Sequence, residues 1–323
     1  MNIPVRHTSS IETKTAHHPL VYLNGEIVET QNATLPVTTQ AFNYGTGVFE
    51  GIRGYISHEG ENVNIFRLDE HIRRLLNSAS LLLIDDIPTA DEIQKSILNL
   101  LRLNNARSDC YIRPLAFKQH LLPGSGFGVK LSGVSSGLSI NTLNMRSYVK
   151  QDGIRCTFSS WRRIADNAIP VRAKITGSYV NSALAIESAR LSGFDDAFML
   201  NTHGNLSEAT TSNIFIVKEN KIITPPVNAH ILEGITRATV IILAKERLGL
   251  EVEERDILPS EVLMADECFL SGTGVEISPV IQIDHHHLKS INDESTTLSI
   301  RNIYQQVVRG EIDNFSSWLT PVY

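Results

Sequence analysis

The feature that most constrains the fold of this chain is a repeated change between strand-like and helix-like hydrophobic spacing. Short apolar runs flank Asn24-Gly25, a pair typical of a two-residue hairpin because both positions tolerate positive φ. Over residues 68–83 the apolar side chains recur at helical spacing instead. Strands and helices that alternate in this way predict a mixed α/β fold.

Local signals also predict where the helices begin and end. Asp69 is the expected N-cap of the first long helix, and Thr89 with Glu92 forms a capping-box pattern that starts the second. Two further helices are expected after residues 179 and 236. Gly193 and Gly249 follow them and suit C-terminal caps, because glycine adopts the left-handed backbone at no steric cost.

At 323 residues, the chain is long enough for about two domains. A polar stretch without periodicity follows Asn144 and predicts a boundary there. The predicted organisation is a flexible tail at 1–19, a smaller α/β domain at 20–143, a linker at 144–152 and a larger domain at 153–323.

Composition excludes several classes of protein. Lys plus Arg total 29 against 35 for Asp plus Glu, so the net charge of −6 argues against a nucleic-acid wrapper. No apolar run approaches the roughly 18 residues of a membrane helix. Cys110, Cys156 and Cys268 have no CxxC spacing, which argues against disulfides and zinc and favours a reducing, cytoplasmic setting.

Residues 285–287 are three successive histidines, which cannot all face one ion, so no metal site is expected.

Two segments look suited to binding an anion. Residues 232–237 lead a loop into a predicted helix, whose first N–H groups are free and whose dipole is positive at that end. Residues 268–274 pass from an apolar strand into a Ser/Gly/Thr turn rich in backbone amides and hydroxyls. Neither is a P-loop, and residues 124–128 do not match the dinucleotide pattern GxGxxG.

Lys174 and Glu208 are the candidates for chemistry at such a site. Lys174 lies among small residues, where a desolvated amine can form a Schiff base with a carbonyl cofactor. Glu208 lies between two predicted strands and could keep a cofactor ring nitrogen protonated. From the residues alone, a solvated surface lysine is the commoner interpretation of Lys174, and an exposed loop carboxylate is the alternative for Glu208.

Seven blocks in a fixed order identify a resemblance. They are residues 44–53, 66–71, 111–114, 173–179, 207–208, 234–237 and 271–274. Together they resemble the fold-type IV pyridoxal-phosphate aminotransferases, and most closely the branched-chain amino-acid aminotransferases. The resemblance runs from about Val21 to Ser316 and implies a two-domain α/β fold with pyridoxal 5′-phosphate in the interdomain cleft.

The resemblance also implies roles for individual residues. Lys174 would bind the cofactor covalently and move the proton between it and the substrate α-carbon. Glu208 would face the pyridine nitrogen, and Tyr179 would hydrogen-bond the ring phenolate oxygen. The residues implied to hold the phosphate are Arg67, Thr273 and the backbone amides of Ile235 and Thr236.

The substrate residues implied by the resemblance come mainly from the first domain. Tyr111, with the backbone of Thr273 and Gly274, would bind the α-carboxylate, and Phe49 would form an apolar bed for a branched side chain. The remaining members of this set are Tyr44, Arg53 and Arg113, of which the two arginines would order the tyrosines.

The implied reaction moves the amino group of leucine, isoleucine or valine to 2-oxoglutarate in a homodimeric enzyme of branched-chain amino-acid biosynthesis. Two departures bear on the substrate. Residues 207–213 read Ser-Glu-Ala-Thr-Thr-Ser-Asn, where branched-chain enzymes usually read Ser-Glu-Gly-x-Gly-Glu-Asn, and Gly274 stands where they usually have Ala. The first departure leans toward D-amino-acid and (R)-amine transaminases. An aminodeoxychorismate lyase and a non-catalytic binding protein of the same fold would also fit.

Overall fold

The computed structural model describes residues 17–120, 128–145, 153–289 and 292–323. Most of the predicted tail, residues 122–127 of the glycine-rich loop and most of the predicted linker lie outside these ranges. In the first half of the chain the elements are β1 (Leu20–Leu23), β2 (Glu26–Glu29), α1 (Gln40–Tyr44), β3 (Gly47–Phe49), β4 (Ile52–Ile56), β5 (Val63–Phe66), α2 (Leu68–Leu81), α3 (Ala90–Leu103), β6 (Cys110–Lys118) and β7 (Ser136–Asn144).

The second half contains the larger number of elements. They are β8 (Ile154–Phe158), α4 (Tyr179–Leu191), β9 (Asp196–Leu200), β10 (Leu206–Ala209), β11 (Asn213–Lys218), β12 (Lys221–Thr224), α5 (Ile235–Leu248), β13 (Val252–Glu254), α6 (Pro259–Leu263), β14 (Glu267–Gly272), β15 (Glu276–Ile283), β16 (His286–His287), α7 (Thr296–Arg309) and β17 (Leu319–Pro321).

The first sheet has the strand order β17-β5-β4-β6-β7-β1-β2, with β3 also paired to β6. All of its described pairings are antiparallel. Asn24 and Gly25 join β1 to β2 with φ values of 50° and 97°, which confirms the predicted hairpin. Helices α2 and α3 pack on this sheet and share its buried core.

The helix ends follow local chemistry, with one correction. Thr89 and Glu92 form the predicted capping box of α3, and Gly249 ends α5 in the left-handed conformation. Asp69, however, lies within the first turn of α2, and the N-cap is Arg67 with a left-handed backbone. The carboxylate of Asp69 still lies at the positive end of the helix dipole, which is favourable without capping.

The second sheet is mixed, with the order β10-β9-β8-β15-β14-β11-β12-β13 and with β16 on β15. Strand β8 runs parallel to both β9 and β15, and β12 runs parallel to β13. The fold is therefore a mixed α/β fold built on two sheets. The division into domains at residues 20–143 and 153–323 stays a prediction, and β17 pairs with β5 of the first sheet.

The two sheets meet along a packed seam. One hydrophobic cluster joins Tyr55 and Phe66 of the first sheet to Phe215, Phe269 and Tyr304 of the second half. Nearby, the segment before α4 runs along β3, where the Phe49 N–H donates to the Lys174 carbonyl at 3.0 Å. This contact fixes the position of residue 174 against the first sheet.

Candidate functional site

A cavity lies at the seam between the two sheets. Helix α2 borders it on one side, and the segment before α4, the N-terminus of α5 and the turn after β14 border it on the other. The sequence-predicted residues that line it are Lys174, Tyr179, Glu208, Ile235, Thr236 and Thr273. Residues from separate segments of the chain thus face one space.

Lys174 is the half-buried amine of the cavity. Its Nζ donates to the Tyr179 hydroxyl at 2.5 Å and lies 5.0 Å from the centre of the Phe49 ring. Its backbone N–H donates to Ser78 Oγ of α2 at 3.2 Å. Contacts at both ends of the residue hold the amine in one direction, toward the cavity.

Glu208 is the buried acid of the cavity and is only 4% exposed. One carboxylate oxygen lies 2.8 Å from Arg163 Nη2, and the other accepts from the Leu232 N–H at 3.0 Å and from Asn213 Nδ2 at 3.2 Å. Burial raises the pKa of Glu208, while Arg163 opposes that shift. The exposed loop carboxylate considered from the sequence is thereby excluded.

The opposite side of the cavity is suited to an anion. Helix α5 begins at Ile235 without a side-chain cap, so its first N–H groups have no partner within the helix. Gly234 stands at its N-cap because a Cβ there would lie 2.0 Å from Asn213 Oδ1. The hydroxyl-bearing Thr236 and Thr273 complete this side.

Arg67, predicted to bind phosphate, lies at the border of the cavity and is not among the described residues that line it. Its Nη1 donates to the Ile235 carbonyl at 3.3 Å and to Thr239 Oγ1 at 2.9 Å, so the guanidinium lies against the start of α5. It also pairs with Glu70 at 2.7 Å and stacks on Trp318 at 4.7 Å. The arginine thus lies beside the predicted anion-binding terminus.

Sequence reasoning missed a second arginine, Arg74, which lines the cavity from α2. Glu50 accepts from Arg74 Nε at 2.6 Å and lies 2.8 Å from His71 Nδ1. Arg74 Nη1 also donates to the Glu233 carbonyl at 2.8 Å, just before α5. The available signal was the helical spacing of residues 67, 71 and 74, which places them on one face.

The buried Glu50 is held in its ionised form. Burial favours the neutral acid, but Arg74 and His71 outweigh it and hold the pKa of Glu50 well below its ordinary value. A buried carboxylate that is paired on both oxygens fixes the direction of its partners. Glu50, which is held by His71 and Arg74, therefore positions Arg74 at the cavity wall.

Three predicted substrate residues lie together near Lys174. The Phe49 and Tyr179 rings meet edge to face at 4.8 Å, and Arg113 stacks on Phe49 at 4.5 Å. Arg113 also donates to the Tyr111 hydroxyl at 2.5 Å. That hydroxyl lies over Gly51, where a Cβ would be 2.2 Å from it.

The remaining predicted substrate residues have different surroundings. Tyr44 ends α1 and is 39% exposed. Arg53 is fully buried; its Nη2 donates to the Met145 carbonyl at 3.0 Å and lies 3.6 Å from Glu276 Oε1. Gly274 follows Thr273 but is not among the described residues that line the cavity.

Features of metal-binding and membrane proteins are absent from the described parts of the chain. No group of three or more His, Cys, Asp or Glu side chains in these ranges is arranged to hold a metal ion. Among the helices that the structure describes, none is long and apolar enough to cross a membrane.

Comparisons with known proteins agree on one family. Residues 47–283 match the model of the family described as amino-transferase class IV. A probable branched-chain-amino-acid aminotransferase of Aquifex aeolicus is 42% identical over 303 residues, which cover 94% of this chain and 96% of that protein.

Solved structures give the same result. A branched-chain amino acid aminotransferase from Thermobaculum terrenum in its PLP form has a TM-score of 0.89 and 38% identity, covering 96% of this chain and 100% of that one. A branched-chain aminotransferase from the archaeon Thermoproteus uzoniensis with norvaline has a TM-score of 0.89 and 39% identity, covering 95% of this chain and 100% of that one.

Proposed function

Because the chain belongs to the class IV aminotransferases, we propose that it transfers the amino group of leucine, isoleucine or valine to 2-oxoglutarate. The products are the branched 2-oxo acids and L-glutamate. Relatives named for branched-chain amino acids that match nearly the whole chain support this substrate class. The reaction would serve branched-chain amino-acid biosynthesis.

The cofactor of this reaction is pyridoxal 5′-phosphate, and the donor set of the cavity fits it. An amine, a buried acid and an anion-binding helix terminus face one space. When bound, the cofactor supplies an aldehyde that accepts the amino group and a ring that withdraws electrons from the substrate α-carbon. The observation that carries the proposal is that Lys174 and Glu208 line the same cavity.

Lys174 moves the proton at the substrate α-carbon, and the Tyr179 hydroxyl at 2.5 Å from its Nζ orients it. Glu208 holds a proton at the cofactor ring nitrogen. Its ion pair with Arg163 and its two N–H donors fix the direction of the carboxylate. An acid that is already oriented stabilises the developing charge without reorganising during the reaction.

The phosphate is held by Arg67, by the amides of Ile235 and Thr236, and by Thr273. The contacts of Arg67 with Ile235 and Thr239 support this role, because they place its charge at the start of α5. Arg74 lines the cavity wall with its charge paired to Glu50. A cation and a helix N-terminus at one place favour a doubly charged anion.

On the substrate side, Tyr111 with the backbone of Thr273 and Gly274 binds the α-carboxylate, and Phe49 contacts the branched side chain. The hydrogen bond from Arg113 to the Tyr111 hydroxyl supports a role in orienting that tyrosine. Arg53 acts through the backbone of β4, which pairs it with Tyr111 of β6.

A substrate panel tests this function. Steady-state rates would be measured for L-leucine, L-valine, D-alanine and (R)-phenylethylamine, each with 2-oxoglutarate. We expect the two L-amino acids to be used and the other two donors to give little product. Activity on D-alanine with none on L-leucine would refute the proposal.

One observation favours a second candidate, a D-amino-acid or (R)-amine transaminase of the same family. Residues 209–212 read Ala-Thr-Thr-Ser, and Thr210, Thr211 and Ser212 all line the cavity. The same panel separates the two functions, because both use Lys174 and differ only in the donor. An aminodeoxychorismate lyase would release pyruvate without any oxo-acid acceptor.

A non-catalytic binding protein is tested with Lys174→Ala. The wild-type protein should show visible absorbance with pyridoxal phosphate, and the variant should lose both that band and the activity. A band that persists in the variant would remove Lys174 from the catalytic role.

A homodimer in the cytoplasm completes the proposal. Side chains around α1 present exposed apolar surface, namely Leu35, Val37, Phe42 and Tyr44, and a second copy would bury it. Three buried, unpaired cysteines suit a reducing compartment. Sedimentation velocity should show a dimer for the wild type and a monomer for Phe42→Asp. A monomeric wild type would contradict the homodimer.

A further inference from the structure

Two serine hydroxyls in the cavity are buried and lack hydrogen-bond partners. Ser212 is 4% exposed and Ser271 is fully buried. Both line the cavity, and neither Oγ has a partner among the described residues. A buried hydroxyl that is left without a hydrogen-bond partner destabilises a folded protein. Hydroxyls of this kind in a cavity wall therefore point to a ligand that satisfies them.

Ser212 lies between the two elements that form the anion-binding side. A Cβ at Gly272, next to Thr273, would be 3.3 Å from Ser212 Oγ. The neighbouring Asn213 contacts Gly234 at the start of α5 and pairs with Ser271 across β11 and β14. The hydroxyl is thus close to the turn after β14, and the residue that follows it in the chain contacts the start of α5.

The cavity that this hydroxyl lines is bordered by the N-terminus of α5, which carries the positive end of the helix dipole. Arg74 lines the same cavity with its charge paired to the buried Glu50. A hydroxyl there donates to an anion without adding a negative charge of its own.

We propose that Ser212 Oγ donates a hydrogen bond to the cofactor phosphate and is an additional phosphate-binding residue of this chain. The inference rests on the proposed cofactor and deepens the description of its site. It is independent of which amino acid the enzyme prefers. The other anion of compatible chemistry is the substrate carboxylate, and the test separates the two.

The experiment compares pyridoxal phosphate with pyridoxal, which lacks the phosphate. Protein freed of cofactor would be titrated with each compound, and the visible band would give both Kd values. For Ser212→Ala we expect the Kd of pyridoxal phosphate to rise by about tenfold or more, since a hydrogen bond to a charged group is lost. The Kd of pyridoxal should stay unchanged.

Ser207→Ala is the matched control. Ser207 is also fully buried with an unpartnered hydroxyl, but it is not among the described residues that line the cavity. Its substitution should change neither Kd. If Ser212→Ala does not fold, Ser212→Cys keeps the shape with a much weaker donor and carries the same test.

Three results would overturn the inference. Equal weakening of both compounds by Ser212→Ala would indicate general packing. An unchanged Kd for pyridoxal phosphate with a raised KM for 2-oxoglutarate would assign the hydroxyl to the substrate carboxylate. A wild-type protein that gives no visible band with either compound would remove the cofactor itself, whereas a different amino-donor preference would leave the inference intact.

Discussion

Arg67 is the N-cap of α2 and Arg74 lies within that helix, and the two arginines have different surroundings. Arg67 pairs with the partly exposed Glu70 and contacts the start of α5. Arg74 lines the cavity and is bound through two nitrogens to the fully buried Glu50. A guanidinium paired with a fully buried carboxylate has a larger part in stability than one paired with a partly exposed carboxylate.

The two arginines therefore predict different phenotypes. Arg67→Gln should raise the Kd of pyridoxal phosphate by about tenfold or more, because a charge-assisted contact to phosphate is lost, and should change pyridoxal binding much less. Arg74→Gln should mainly lower the thermal stability, since Glu50 keeps a buried charge without its partner. Absorbance titrations and melting curves of both variants test this; the reverse pattern would assign the phosphate to Arg74.

At the scale of elements, helix α2 is fixed to the loop between β3 and β4 by one buried carboxylate. Glu50 is fully buried, and its partners His71 and Arg74 both lie on α2. Its pKa is lowered, so the ionised form contributes to stability above the unfolded value of 4.5. That contribution is lost as the pH falls through the folded pKa.

Glu50→Gln should thus destabilise the protein in a pH-dependent way. At pH 7 we expect a loss of about 3–5 kcal/mol in the free energy of unfolding, because Arg74 keeps a buried charge without its partner. The difference in the free energy of unfolding between the variant and the wild type should become smaller as the pH falls below 4.5. Urea unfolding across this pH range measures both.

Glu70→Gln serves as the control for this prediction. Glu70 lies on the same helix, pairs with Arg67 and is 30% exposed. The variant should therefore lose about 1 kcal/mol or less in the free energy of unfolding. A difference for Glu50→Gln that stays constant with pH would show that ionisation of Glu50 does not stabilise the fold.

A second element-scale contact brings α1 against the segment that follows Lys174. Gly45 ends α1 with φ +67°, and a Cβ there would lie 2.7 Å from Gly177 Cα. Its carbonyl accepts from Gly177 N at 3.1 Å and from Thr176 Oγ1 at 2.8 Å. The backbone approach thus helps to align Lys174.

Gly45→Ala and Gly249→Ala form a matched pair. Gly249 ends α5 with φ +64° and has no neighbour within 4 Å of a Cβ. In both variants the free energy of unfolding should fall by about 1–2 kcal/mol, because alanine is strained in the left-handed backbone conformation. Only Gly45→Ala should also lower kcat, since residues 176–177 must move. Equal kcat values for the two variants would contradict a role of this contact in the site.

At the scale of the whole molecule, the seam between the sheets is part of the core. Phe66 meets Tyr304 at 5.6 Å and Trp318 at 6.0 Å, edge to face in both cases. Strand β17 then pairs with β5, so the end of the described chain is built into the first sheet. The cavity lies along this seam and depends on it.

Phe66→Ala should therefore lower the stability of both sheets together. We expect the free energy of unfolding to fall by about 3–5 kcal/mol, because a buried aromatic side chain is removed. The change in tryptophan emission and the loss of the visible cofactor band should occur in one transition, at a lower temperature than in wild type. Two separate transitions would mean that the sheets unfold independently.

Part of this structure could be predicted because its causes are local. The Asn24-Gly25 hairpin and the Thr89 capping box depend on residues only a few positions apart. The ordered motif blocks likewise identified the family, the fold and the chemistry. The Asp69 cap failed for a local reason too, because the left-handed Arg67 started α2 instead.

The ordered motifs were enough to predict the fold class and the aminotransferase family, and they singled out an amine, Lys174, and an acid, Glu208. The folded chain was needed to show that both line one cavity, that a second arginine, Arg74, faces it, and which buried carboxylate holds that arginine. The physical reason is that a turn or a cap is fixed by neighbours in sequence. A buried charge depends instead on partners that the folded chain brings from distant segments.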